Sequence, residues 1–175
     1  MIVQVCVVAC DAALVGRAKV LDQRAAAARA LAALGLVDPP RIPDGPPLPA
    51  NGRHWSASHT TGAAGAALAP FPVGFDLERE RELRPELVAR FLSAGEPRVE
   101  PLVAWTAKEA VLKKLGIGIA GLPRCRIVAR PDEFRVELEL DGILHHAHVC
   151  RHEELIGTLT HAGPLDTGLR WEWPA

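Results

Sequence analysis

Three carboxylates and two ammonium groups stand at spacings that could do chemistry. Asp76 and Glu78 alternate with Phe75 and Leu77 in the run Val73-Gly74-Phe75-Asp76-Leu77-Glu78. Alternate side chains of a strand share a face, so the two acids project together. Neighbouring carboxylates repel unless a cation lies between them. Hard oxygen donors suit Mg2+, which takes one or two carboxylates and completes its octahedron with water and phosphate. An acidic sheet edge is the plainer reading of the same pair. Glu109 could supply a third oxygen, and Lys113 follows it one helical turn later.

The element that must carry Glu109 and Lys113 is a helix. Pro101 suits a first helical position and Gly116 suits the stop, which predicts a helix from about Pro101 to Leu115. On a 3.6-residue wheel Ala104, Trp105, Val111, Leu112 and Leu115 form one stripe. Lys108 is aimed at that apolar side by its neighbours Ala104, Val111, Leu112 and Leu115. The alternative is a snorkelling Lys108 and a solvated Glu109–Lys113 pair, worth little.

Taken in order, these pieces resemble a known family. The set is Trp55-Ser56-Ala57-Ser58-His59-Thr60, Val73 to Glu78, Phe91-Leu92-Ser93-Ala94-Gly95-Glu96, and Trp105-Thr106-Ala107-Lys108-Glu109-Ala110-Val111-Leu112-Lys113. It is similar to the signature of the 4′-phosphopantetheinyl transferases, in the larger, pseudo-dimeric surfactin-synthetase-type branch. The resemblance covers roughly residues 17 to 122.

It implies an α+β fold of two pseudo-equivalent lobes, each a small antiparallel sheet packed with a helix, in one compact pseudo-dimeric unit. Residues 1–72 would form the nucleotide-binding lobe and 73–175 the lobe with the metal and the catalytic helix, with the active site between them. The implied reaction moves the phosphopantetheine arm of coenzyme A to a serine of an apo acyl- or peptidyl-carrier protein, releasing 3′,5′-ADP.

In that reading Asp76, Glu78 and Glu109 hold Mg2+, with Mn2+ as a substitute, against the pyrophosphate. Lys113, and Lys108 beside it, donate to the phosphates. Glu109, or a water on the metal, takes the serine proton. Ser58 and His59 contact the nucleotide end, and Arg24 meets the 3′-phosphate; His59 as a turn cap is the alternative. Glu96 supports the site from behind or faces solvent. The family's G-K-P element is here Gly45-Pro46-Pro47, so its lysine is missing, with Arg41 or Arg53 as substitutes or as solvated loop residues. The segment between Glu96 and Trp105 is short, which bears on the choice of carrier.

Two rivals differ in class. A metal-dependent nuclease needs an acid two residues before a lysine, and Glu80 and Val111 occupy those places after Glu78 and Glu109. A non-catalytic paralogue that binds carrier or coenzyme A fits the missing lysine but not the retained acids.

Composition narrows the classes further. With 49% apolar and 23% charged residues in 175, the chain reads as globular. A net charge of −1 gives no whole-protein field for nucleic acid or membrane. No apolar run has transmembrane length, and the four cysteines form no C-x-x-C pair. The expectation is a cytoplasmic, monomeric protein with buried thiols.

The remaining elements follow from pattern. Strands are expected at Ile2 to Val8, Trp55 to His59, Ala63 to Leu68, Phe71 to Glu78, Arg124 to Ala129, Glu133 to Leu140, Ile143 to Cys150, Leu155 to Thr160 and Leu169 to Trp173. The last of these would complete the second sheet. Helices are expected at Leu21 to Leu34 and Arg84 to Leu92, with Asp11 to Lys19 a connection. The proline-rich stretch Asp38 to Gly52 reads as an extended loop. Asp141-Gly142 marks a two-residue type I′ hairpin. That hairpin sets Leu140 opposite Ile143, Glu137 opposite His146 and Arg135 opposite His148. Polar cross-strand neighbours then account for His146, His148, Cys150 and His152 without zinc, whose ligands come from separated elements.

Overall fold

A computed structural model describes residues 1–42 and 46–174. It is an α+β protein with two antiparallel-rich sheets. The elements are β1 (Ile2–Ala9), α1 (Gly16–Ala33), β2 (His54–Thr60), β3 (Ala63–Ala69), β4 (Val73–Arg79), α2 (Pro85–Phe91) and α3 (Pro101–Leu115). A 3-10 helix (Ile119–Arg124) precedes β5 (Arg126–Asp132), β6 (Arg135–Leu140), β7 (Ile143–His152), β8 (Leu155–His161) and β9 (Gly168–Glu172). The first sheet has the order β2-β3-β1-β9 and the second β4-β8-β7-β6-β5.

Strand alternation sorts the core into layers. Val3, Val5 and Val7 of β1 point one way, against Phe75 and Leu77 of β4 and Leu155 and Leu159 of β8. Cys6 of β1 points the other way, with Ala66 and Leu68 of β3, onto Ala30, Leu31 and Leu34 near the end of α1. On the far side of the second sheet, Val103, Ala107, Val111 and Leu112 of α3 cover Val136, Leu138, Ala147, Val149 and Ile156. Helix α1, the two sheets and α3 therefore stack in that order. No helix of the described residues is long and apolar enough to cross a membrane.

The limits of α3 and the hairpin are as read from the sequence. Gly116 ends α3 in the left-handed region at φ 68°, which costs glycine no Cβ clash. Asp141 and Gly142 both have positive φ, and Leu140, Glu137 and Arg135 lie opposite Ile143, His146 and His148.

Other expectations are corrected. Helix α1 starts at Gly16, so the stretch taken as a connection up to Lys19 is partly helical. Leu115 does not continue the buried stripe of α3 and is 43% exposed. Strand β9 does not join the second sheet. It runs parallel to β1, Val3 beside Leu169 and Val5 beside Trp171, and completes the first sheet.

Three histidines are held neutral in the second sheet. Burial, then the Lys114 charge, pushes His145 down to about 4, and its Nδ1 lies 2.8 Å from Lys114 Nζ. Lys114 can only donate there, so the imidazole proton sits on Nε2. Burial, then His161, likewise lowers His148 to about 4, and the His148 and His161 rings stack with centroids 5.6 Å apart. Besides Arg135 opposite it on β6, His148 therefore has an aromatic neighbour diagonally across on β8.

These groups fix the sign of an acid response. Their folded pKa values lie below the unfolded 6.5, so the unfolded chain binds more protons once the pH falls below that value. Stability should be full above pH 6.5 and fall as the pH drops towards about 4. Thermal unfolding from pH 7.5 to 4 should record the decline, and His148→Phe should flatten it. An equally steep decline in His148→Phe assigns the acid response to other groups.

Candidate functional site

Strands β2 and β4 stand at the edges of their sheets, and they lie side by side. Contacts rise along both together: Ser56 with Phe75, Ser58 with Asp76, Thr60 with Glu78 and Arg79. Side-chain hydroxyls make this junction. Ser56 Oγ accepts the Phe75 amide at 3.0 Å and donates to its carbonyl at 3.5 Å. Thr60 Oγ1 accepts the Arg79 amide at 3.1 Å and donates to Glu78 Oε2 at 3.2 Å. All three hydroxyl residues are buried. Their period of two in W-S-A-S-H-T was the signal for this seam, and only Ser58 was taken from it.

Helix α3 reaches the same seam because Gly74 has no side chain. A Cβ there would sit 1.9 Å from the Ala110 carbonyl oxygen. Helix and strand run in opposite senses, with Ala110 and Lys114 over Gly74 and Lys113 beside Asp76. Thr106 Oγ1 and Thr158 Oγ1 join α3 to β8 at 2.8 Å, directly behind Asp76, which pairs with Thr158.

At the centre, Asp76 Oδ1 accepts from Lys113 Nζ at 2.6 Å and from Ser58 Oγ at 2.7 Å. Lys113 Nζ also donates to Ser58 Oγ at 3.0 Å. Lys113 keeps 30% of its side chain exposed while Asp76 keeps 7%, so the lysine is the more accessible partner. Asp76 Oδ2 is buried without a hydrogen-bond partner. Glu78 is held at 3.2 Å by Arg81. Burial, then the negative charges of Asp76 and Glu78, raise the Glu109 carboxyl above the ordinary range, although Lys113 opposes them. The three acids named from the sequence therefore share one electrostatic neighbourhood.

Whether this set fits Mg2+ turns on that orphaned oxygen. Among the described residues, no group of three or more His, Cys, Asp or Glu side chains is placed to hold a metal ion, Asp76, Glu78 and Glu109 included. Mg2+ does not need such a group, because it commonly binds one or two carboxylates together with water and substrate phosphate. The unpartnered Asp76 Oδ2 and the mutually repelling acids fit a cation that arrives with phosphate.

His59 adjoins the same cluster. Burial, then the Lys113 charge and more weakly Arg24, lowers its pKa, while Asp76 opposes them. Lys113 and Arg24 thus set a positive field around the exposed His59 ring, which disfavours its protonation. A cleft of about 250 Å³ opens beside the seam, lined by Pro46, Pro47, His54, Trp55, Lys113 and Gly116. The two arginines suggested as substitutes for the missing lysine separate here. Arg53 is spent on Leu34 O at 3.3 Å and Gln4 Oε1 at 3.4 Å. Arg41 lies over the ring of Trp55, a lining residue of this cleft, 5.1 Å from its centroid. Gly45, the first residue of the altered element, lies outside the described residues.

Lys108 is corrected. It was expected to reach phosphate, but it is 0% exposed and its ammonium points into the protein. It donates to the Phe91 carbonyl and to Glu96, 2.8 Å from Oε2. The Glu96 side chain is 2% exposed and also accepts the amides of Ile127 at 2.6 Å and Ser93 at 2.9 Å. Burial pushes the Glu96 carboxyl up, but the bonds from Lys108 and the two amides outweigh it and hold the pKa below the usual carboxylate value. Glu96 therefore does not face solvent. It ties the turn after α2 to α3 and β5. The chain matches no protein-family model and no curated protein sequence.

The Lys108–Glu96 pair predicts a stability effect. Lys108→Met leaves a buried carboxylate without its cation and should cost about 3–5 kcal/mol in urea unfolding. Lys108→Met with Glu96→Gln should recover much of that. An unchanged unfolding midpoint in Lys108→Met would contradict the buried pair.

Proposed function

We propose that this chain is a 4′-phosphopantetheinyl transferase, moving the phosphopantetheine arm of coenzyme A to a serine of an apo acyl- or peptidyl-carrier protein. One observation carries the reading. Ser58, Asp76, Glu109 and Lys113 come from three separate stretches of the sequence. The first, second and fourth are in direct contact, and Glu109 shares their field.

In this reading the chain has two lobes, 1–72 and 73–175, with the site between them. The parallel plan supports it, since each sheet carries one long helix on its outer face. The return of β9 to the first sheet makes the division a crossed one.

The residues divide the work as follows. Asp76, with Glu78 and Glu109, would hold Mg2+. When bound, the ion neutralises the pyrophosphate and stabilises charge on the leaving oxygen. Lys113 exchanges its contact with Asp76 for a phosphate oxygen, as its exposed position permits. Glu109, or a water held at the site, would take the serine proton. The serine oxygen forms the new bond to phosphorus, and the bond to the 3′,5′-ADP oxygen breaks. Ser58, His59 and Arg24 would contact the nucleotide end, and the 250 Å³ cleft shares Lys113 with that site. Lys108 supports α3 from inside and has no part in binding.

A carrier-binding paralogue without turnover is the second reading, favoured by the Asp76 oxygen already occupied by Lys113. Incubation with coenzyme A, Mg2+ and an apo-carrier, followed by intact mass, separates the two. Transfer should add one phosphopantetheine per carrier, while binding without a mass change supports the paralogue. Asp76→Ala and Glu109→Ala should each reduce transfer by about a hundredfold or more, and EDTA should abolish it. Full activity in EDTA would end the metal reading.

His59 gives a sharper test. It is held neutral in the free protein, and a phosphate dianion would favour its protonation and a charge-assisted bond. His59→Ala should lower kcat/KM for coenzyme A about tenfold, the scale of one hydrogen bond to a charged group. It should barely alter kcat/KM for 3′-dephospho-coenzyme A. Equal losses on both substrates would remove His59 from the 3′-phosphate.

A further inference from the structure

Helix α3 ends in adjacent lysines with different surroundings. Lys113 pairs with Asp76, and Lys108 farther back pairs with Glu96, but no carboxylate of the described residues pairs with Lys114. The Lys114 side chain is half-buried between α3 and the second sheet. Its Nζ is 2.8 Å from His145 Nδ1 on β7 and 3.4 Å from Thr160 Oγ1 on β8. The titratable groups around it supply no anion at neutral pH. Burial, then the Lys114 charge, lowers both His145 and His161. Cys125 could hold the ammonium form only as a thiolate, and burial pushes its thiol up to about 11. Burial therefore lowers Lys114 to about 8. A lysine becomes a nucleophile when it loses its proton, and desolvation of this kind is what prepares imine-forming lysines.

Lys114 also lines the cleft of about 250 Å³, together with Lys113, His54, Trp55, Pro72 and Val73. That volume lies below the usual range for drug-sized ligands, about 300–1,000 Å³, and suits a ligand built on one ring. Lys113 supplies the cleft with a cation. Its Nζ donates to Asp76 and to Ser58, which leaves one of the three ammonium hydrogens for an anion. One small cavity thus combines an anion donor with an amine that loses its proton easily.

We propose that Lys114 captures small phosphorylated aldehydes as a reversible imine, with Lys113 holding the phosphate. The Lys114 nitrogen adds to the carbonyl carbon. The carbonyl oxygen leaves as water with the two amine hydrogens, and the carbon–nitrogen double bond forms. No oxidant or reductant is involved. His145 Nδ1, which now accepts from the ammonium group, is placed to accept from the protonated imine. Capture here needs neither a carrier protein nor a metal ion.

The test is incubation with pyridoxal 5′-phosphate or with pyridoxal, reduction by borohydride and peptide mass mapping over Lys19, Lys108, Lys113 and Lys114. Label should fall on Lys114, about tenfold more from the phosphorylated aldehyde, the scale of one hydrogen bond to a charged group. Its rate should rise with pH and reach half its maximum near pH 8. Lys113→Gln should keep the label on Lys114 and erase the preference for the phosphorylated aldehyde. Lys114→Arg, which keeps the cation, should take up no label. Label spread over Lys19 or Lys113 in wild type, equal labelling by the two aldehydes, or a half-maximum near the 10.5 of an ordinary lysine would overturn the capture site. Absence of label would overturn it as well. Each of these outcomes leaves the transferase reading in place, because the carrier's intact mass reads that separately.

Discussion

Two edge strands meet here without a backbone ladder, and the rest of the structure depends on that junction. An unmade buried polar contact costs about 1–3 kcal/mol, so bare β-edges cannot simply be pressed together. A hydroxyl both donates and accepts, and it can stand where a partner strand would. Ser56 serves the amide and carbonyl of Phe75, and Thr60 serves the amide of Arg79. Ser58, between them, turns to Asp76 and Lys113 instead. The seam is therefore both largely buried and polar, a setting in which a carboxylate and an ammonium group interact strongly. Candidate chemistry collects there because the junction already needs polar side chains.

Helix α3 uses two lysines for opposite purposes. Lys108 points inward and is consumed by Glu96 and a carbonyl, which anchors the turn after α2. Lys113 points to the seam and remains partly exposed. Five residues separate them, about 140° on a helix of 3.6 residues per turn, which puts them on different faces. A buried pair fully hydrogen-bonded on the acid side resists exchange with a ligand. A single ion pair at a cleft mouth can be exchanged for phosphate. That difference in burial and partner number decides which lysine belongs to the site.

Local signals were legible in the sequence and long-range partners were not. Proline at the start and glycine at the end bounded α3, and Asp141-Gly142 set the β6–β7 register residue by residue. The alternation of Asp76 and Glu78 with apolar residues placed both acids on the face towards the seam. Lys108 was misread because its wheel position showed only that it pointed inward, and Glu96 sits twelve residues away behind a turn. The pairing of β9 with β1 joins opposite ends of the chain in parallel, which no local pattern encodes. The hydroxyl seam lay between these extremes, visible as a period of two but without an indicated partner.

The most direct measurement is a crystal structure with coenzyme A and Mg2+ bound. The account predicts that Lys113 Nζ leaves Asp76 Oδ1, now 2.6 Å away, for a phosphate oxygen. Asp76 should then face the cation, and Ser58 should keep its place in the seam. A bound ligand elsewhere on the protein, with the Lys113–Asp76 contact intact, would contradict it.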